Sequence, residues 1–305
     1  MNYYKNACIC IVLNIPGVLF SFTIVTYCPE WFSKYSNSLE SQVYELLLKE
    51  PLEAPCTYVA VPWKWFLSHH KENISFHFNQ LEKIHVNNGF TVCQHQHHTA
   101  IIDVCKKIGV TIIFTPHAPL QQPDTTVKLL PIPYVALNTA TPSTSKDIFY
   151  SFIGTATSLM RKNIFSMQWP HDVLIKERPL KKPFSDVMNE EYRSILARSR
   201  FSLCPPGTGI GTFRFWESLA AGAIPVLLSD NLALPPEFNW SNAIIRISSD
   251  DLASIDSIIR SIPLLKEKKM RKVCLEIYKL SSGKHLIKTI QNYFSFKRDF
   301  IYLMF

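Results

Sequence analysis

The sequence predicts an α/β protein of two Rossmann-like domains facing across a cleft, with a helical C-terminal tail. Three observations predict it. Short apolar, β-branched runs alternate with stretches of helical period, which is the pattern of βαβ units and a parallel sheet. The alternation breaks once, over residues 124–145, where Pro and Thr are frequent and periodicity is lost, and then it restarts. The chain has 305 residues, enough for two domains of about 150 residues each, and the break divides it into 1–140 and 141–305.

Taken in order, residues 23–27 are β-branched and aromatic and read as a strand, and 37–50 as an amphipathic helix that stops before Pro51. Residues 57–61 form a short strand closed by Pro62; 76–85 is helical, 89–93 a strand, 100–108 a helix and 109–115 another strand. Beyond the break, 149–153 is a strand, 157–165 a helix, 172–175 a strand and 186–199 a helix. Residues 200–204, 224–228 and 243–247 are the remaining strands, with a helix over 212–221. Three helical stretches follow, at 250–262, 264–279 and 284–296. In such sheets, ligands bind beyond the carboxyl ends of the strands.

Composition excludes several classes. With 47% hydrophobic and 18% charged residues the chain buries a core and is not disordered. No repeat spacing points to a solenoid. A net charge of +8 favours anionic partners, namely nucleotide phosphates, acidic glycans or a phospholipid surface. Nucleic acid is not expected as a partner, because the basic residues are scattered and the densest cluster, 266–272, reads as a solvated helix face. The eight cysteines contain no CxxC pair and fit mostly free, buried thiols.

Residues 8–27 are uncharged and follow Lys5. They read either as a transmembrane anchor or as a buried strand with an apolar leader, since Asn14, Pro16 and Gly17 split the run. Membrane association through 8–27 therefore stays open. So does the location, with a cytoplasmic or membrane-associated protein on one side and a type II Golgi membrane protein on the other. Two N-glycosylation sequons, at Asn73 and Asn239, decide nothing.

Residues 196–230 are the most informative. A strand ending at Cys204 runs into Pro205-Pro206-Gly207-Thr208-Gly209-Ile210-Gly211, where Gly207 and Gly209 allow close approach of a ligand. A helix starting near Thr212 directs its N-terminal N–H groups and positive dipole end at the loop, which suits a phosphate. Arg214 in the first helical turn adds a planar cationic fork. Glu217, one turn on, can accept hydrogen bonds from ribose hydroxyls. Gly222 closes the helix. Read without a ligand, Arg214 and Glu217 are a surface i,i+3 pair and the glycines a plain turn.

The stretch resembles the C-terminal signature of the exostosin-type glycosyltransferases. The residues that carry it are Cys204, Pro205, Gly207, Arg214, Glu217, Leu219-Ala220-Ala221-Gly222, Ile224-Pro225-Val226 and Ser229-Asp230. Fainter agreement runs through Thr57 to Pro62, Leu130 to Tyr134, and Phe149 to Gly154 followed by Arg161. The resemblance implies a GT-B architecture, with residues 1–140 binding the acceptor and 141–305 the nucleotide sugar. It implies an inverting, metal-independent transfer from a UDP-sugar donor to a glycan or lipid-linked acceptor, in polysaccharide biosynthesis or protein glycosylation, with no tightly bound cofactor. By the same resemblance, Glu217 binds the ribose, Arg214 the diphosphate, and Arg161 is a second phosphate contact. A related signature in α1,3-fucosyltransferases makes a GDP-sugar the alternative donor. A non-catalytic glycan- or nucleotide-binding subunit is the alternative from another class.

Inverting transfer needs a base for the acceptor hydroxyl and charge stabilisation for the leaving diphosphate. Histidines following strands in the N-terminal half, His97, His98 and His117, are the candidate catalytic bases, with His95 beside them. No metal site is predicted: no DxD motif stands out, and the His cluster with Cys105 matches no zinc spacing. A Ser/His/Asp hydrolase would need a nucleophile elbow, which is missing.

Overall fold

A computed structural model describes residues 11–14, 22–69, 73–123, 126–179 and 186–302. The chain divides into two compact units. One comprises Met1–Pro133, Ala233–Pro235 and Leu286–Phe305, the other Tyr134–Leu232 and Pro236–His285. Each is an α/β unit around its own sheet, the class that the alternating pattern predicts. The division falls at 133/134 rather than 140/141, and the end of the tail belongs with the first unit rather than the second.

In the first unit, β1 (Ile11–Asn14) pairs antiparallel with β2 (Thr23–Thr26). Then β3 (Thr57–Ala60), β4 (Gly89–Val92), β5 (Val110–Thr115) and β6 (Lys128–Pro131) add in parallel, in sequence order. Two strands within residues 8–27 rule out one continuous membrane helix there and agree with the strand reading; residues 8–10 and 15–21 lie outside the described residues. No helix among the described residues is long and apolar enough to cross a membrane.

One sheet face carries Tyr58, Phe90 and Phe114, with Phe294 of α11 (Lys288–Tyr302) against Phe90 at 5.1 Å and Tyr293 against Phe114 at 5.9 Å. Those aromatic contacts explain why the tail ends in this unit: burying a Phe side chain stabilises by about 1.5–3 kcal/mol. The opposite face buries Val59 and Ile113 with Trp63 and Phe66 of α3 (Trp63–His69) and Val104 and Ile108 of α5 (Ile102–Ile108). The sequence reading misses α3 because a seven-residue, aromatic-rich helix shows too little periodicity. It also reads 124–145 as linker, whereas β6 lies inside that stretch, pairing Ile112 with Lys128 and Phe114 with Leu130.

The second unit holds β7 (Ile148–Gly154), β8 (Leu174–Glu177), β9 (Ser199–Cys204), β10 (Ile224–Leu227) and β11 (Ile245–Arg246). All are parallel, in the order β8-β7-β9-β10-β11. Counted along the chain this is order 2-1-3-4-5, a Rossmann-like winding whose direction reverses between β7 and β9. Helices α6 (Leu159–Ser166), α7 (Asp186–Arg198) and α8 (Phe213–Ala220) connect the strands around that reversal. After β11 come α9 (Ile255–Arg260) and α10 (Leu264–Ser281). Helix α10 is fastened by Glu267, 2% exposed, whose carboxylate accepts from both Arg200 and Arg271. The six described cysteines are all buried.

Candidate functional site

The reversal point between β7 and β9 is where open α/β sheets bind ligands at their carboxyl ends. Strand β7 ends at Gly154, and β9 ends at Cys204 and leads into the glycine loop. Helix α8 then starts from Thr212, whose extended backbone occupies the N-cap, although its hydroxyl makes no capping bond. At the far end Gly222, with φ +61°, takes the left-handed turn that only glycine adopts without strain.

Three guanidiniums meet here. Arg214 on α8 is 9% exposed; its Nη2 donates to the Ile153 carbonyl, and its guanidinium lies 4.6 Å from the Phe152 ring and 5.2 Å from that of Tyr192. Its Nε is buried with no hydrogen-bond partner. Arg178 stands just past β8 and donates its backbone N–H to Gly154 O at 2.7 Å. Its side chain is buried, 5.1 Å from the Tyr192 ring, with Nη2 donating to Met188 O. Arg161 in α6 donates from Nε to Pro206 O at 3.0 Å, from Nη2 to Pro205 O at 3.1 Å and from Nη1 to Thr155 O at 3.3 Å.

Crowding shows in their acidity. Burial first, and then the neighbouring Arg214 charge, pull Arg161 down to about 10. Arg178 is lowered by the same two causes in the same order. Both shifts reflect cations taken out of water beside another cation.

Beside these arginines α8 places a buried carboxylate, Glu217, 4% exposed. Its Oε1 accepts from Asn138 N at 2.9 Å and its Oε2 from the Tyr192 hydroxyl at 2.7 Å. Tyr192 therefore ties the group together, its ring beneath two guanidiniums and its hydroxyl on the carboxylate. The surface-pair reading of Arg214 and Glu217 does not hold, since both are buried.

Two glycines make room for arginines. A Cβ on Gly207 would come 3.0 Å from Arg161 Nη2, and one on Gly154 would come 3.1 Å from Arg214 Nη2. Gly209 closes the loop by accepting from Gly207 N at 3.2 Å. Arg161, expected at a phosphate, instead has its fork on the carbonyls of Pro205 and Pro206, and Ser158 Oγ adds a bond to Pro206 O at 3.0 Å. Asp230 is held by Ser249, Oγ to Oδ2 at 2.6 Å, and that bond keeps its carboxyl below the usual range.

The histidines lie in the first unit. His98 opens a short 3-10 turn after β4 and His117 follows β5; their rings stack in parallel at 6.0 Å, both buried. Burial lowers His98 to about 4 and His117 to about 3. Both rings are therefore neutral near pH 7 and weaker as bases than a free imidazole. His97 is exposed, its N–H donating to His95 Nδ1 at 3.2 Å. Among the described residues no group of three or more His, Cys, Asp or Glu is placed to hold a metal ion.

Sequence reading missed Arg178, Tyr192 and Glu40. For Arg178 the available signal was its place directly after a strand. Glu40, in the first turn of α2 (Leu39–Lys49), is fully buried and accepts from Lys64 N and Gln94 N with Oε1, at 3.1 and 3.0 Å. Its Oε2 has no partner, and burial pushes its carboxyl up to about 7. Nothing in the sequence marks it off from a solvated helix-start glutamate.

A sequence profile of the Exostosin GT47 domain matches residues 65–262, more than half of the chain. The chain belongs to the exostosin GT47 family of glycosyltransferases. It is 36% identical to the Exostosin-1 homolog of Caenorhabditis elegans over 90 residues, which are 29% of this chain and 24% of that protein. It is 44% identical to Exostosin-1 of Drosophila melanogaster over 75 residues, 24% of this chain and 10% of that one. With Exostosin-1 of Mus musculus the identity is 34% over 106 residues, 33% of this chain and 14% of that one. The matches thus span a quarter or less of these relatives. Among solved structures, TarM is similar at a TM-score of 0.43 and 12% identity, over 83% of this chain and 57% of that chain. A GtfA/B complex is similar at 0.42 and 12% identity, over 85% and 60%.

Proposed function

We propose that this exostosin-type domain transfers a sugar from a UDP-sugar, with inversion at the anomeric carbon, to a glycan or lipid-linked acceptor. The observation that carries the reading is the meeting of Arg161, Arg178 and Arg214 at the reversal point of the second sheet, with buried Glu217 beside Arg178. Buried cations in excess call for an anion, and a nucleoside diphosphate is the anion that α/β reversal points bind.

On this reading Arg214 and Arg178 balance the charge that develops on the leaving diphosphate, which gives that role to fixed cations instead of a metal ion. Arg161 holds the glycine loop in the shape that presents its N–H groups. Each Glu217 oxygen retains a second lone pair beyond the bonds to Asn138 and Tyr192, and these are available to ribose hydroxyls. His97 is the base candidate in the first unit, exposed where His98 and His117 are buried.

The test is release of nucleoside diphosphate from a panel of UDP- and GDP-sugars by the full chain. The reading expects turnover of a UDP-sugar and its loss in Arg178→Ala and Arg214→Ala, with circular dichroism unchanged. Turnover of GDP-sugars alone would replace the donor assignment. No turnover of any donor by the folded wild type would sink the reading.

A further inference from the structure

Helix α10 has two faces. Glu267, Met270, Cys274, Ile277 and Ser281 are buried, at the spacing of one helical stripe. The opposite stripe begins with Leu264 and Leu265, 58% and 67% exposed, and continues through Lys268, Lys269 and Lys272, all exposed. Lys266 flanks it, and Lys279 and Glu276 extend it towards the C-terminus, so the face is strongly cationic where the leucines are. The acidic residue nearest the leucines in sequence, Glu267, points the other way and is neutralised by Arg200 and Arg271.

We propose that this end of α10 is a docking surface for an anionic phospholipid membrane, separate from the donor site. Adjacent exposed leucines at a helix end, ringed by lysines, fit the interface of a bilayer. The side chains enter the acyl boundary while the ammonium groups stay at the level of lipid phosphates. Lysine stems reach along an apolar surface and keep their charge in water, so the cationic ring does not oppose insertion. A soluble acidic polymer would satisfy the lysines but offers no apolar phase for Leu264 and Leu265, which is why the lipid surface is favoured.

The test is flotation of the full chain with vesicles of phosphatidylcholine alone and with phosphatidylserine added, at low and high salt. Binding is expected to the anionic vesicles only and to weaken with salt, and each lysine removed should weaken it by about fivefold. L264S/L265S and K268E/K269E/K272E should each release the protein while circular dichroism stays unchanged. A wild type that ignores anionic vesicles overturns the proposal, as does binding that both variants retain. A soluble acidic polysaccharide that binds wild type and L264S/L265S equally, with vesicles unbound, would assign the face to a glycan instead.

Discussion

The hydroxyl of Tyr192 donates to Glu217 Oε2 at 2.7 Å, while the ring of the same tyrosine lies 5.2 Å from the Arg214 guanidinium. One side chain thus connects the carboxylate and the cation that the sequence separates by three positions on α8. The arrangement fixes both charges before any ligand arrives, which is what a preorganised anion site requires.

Removing that hydroxyl in Tyr192→Phe leaves a buried carboxylate oxygen without its partner. The expected cost is about 1.5–3 kcal/mol, the range for a hydrogen bond to a charged group. Urea unfolding of the variant against wild type measures it, and an unchanged midpoint would mean that Glu217 finds another donor.

Gly207 and Arg161 should act as one unit. A methyl at 207 crowds the guanidinium that holds Pro205 and Pro206, so Gly207→Ala and Arg161→Ala should weaken nucleotide binding in the same way, by up to about tenfold each. Combined, they should cost little more than either alone, with a coupling of about 0.5–3 kcal/mol. Strict additivity in the double-mutant cycle would separate the two residues.

The stacked histidines make the first unit sensitive to acid. His98 at about 4 and His117 at about 3 bind fewer protons folded than unfolded, where the reference value is 6.5. Their contribution is complete above pH 6.5 and is lost as pH falls towards 4. Unfolding midpoints taken between pH 7 and 4.5 should therefore drop less steeply in His117→Asn than in wild type. Equal slopes would show that the pair is protonated without loss of structure.

Glu40 has the opposite sign. Its folded value of about 7 lies above the reference 4.5, so the folded state is favoured at low pH and that benefit is lost as pH rises through 7. Stability of Glu40→Gln relative to wild type should therefore improve steadily between pH 5 and pH 8. A difference that does not change with pH would place an ionised carboxylate in that pocket throughout.

Much of this molecule was legible in the sequence, and the residues show why. Cys204, Gly207, Arg214 and Glu217 are close in the chain, so a strand, loop and helix read locally already place them together. Arg178 and Tyr192 join them only through the parallel pairing of β7 with β8 and the packing of α7, which no local pattern encodes. Helix α11 reads correctly as a helix, yet its return to the first unit depends on Phe294 meeting Phe90, about two hundred positions away. The histidines were found by residue type and spacing, but their burial, which decides their basicity, comes from the packed structure. Strand β6 was hidden because Pro131 and its Pro-rich surroundings read as loop.

An arginine group at the β7–β9 reversal that serves a donor should bind a nucleoside diphosphate on its own. Titration calorimetry of UDP into the full chain, wild type and Arg214→Ala, tests it most directly. Saturable binding by wild type is expected, with a loss of at least tenfold in the variant and the fold intact by circular dichroism. Wild-type protein that is folded and gives no heat with UDP or GDP, or a variant that binds as tightly as wild type, would contradict it.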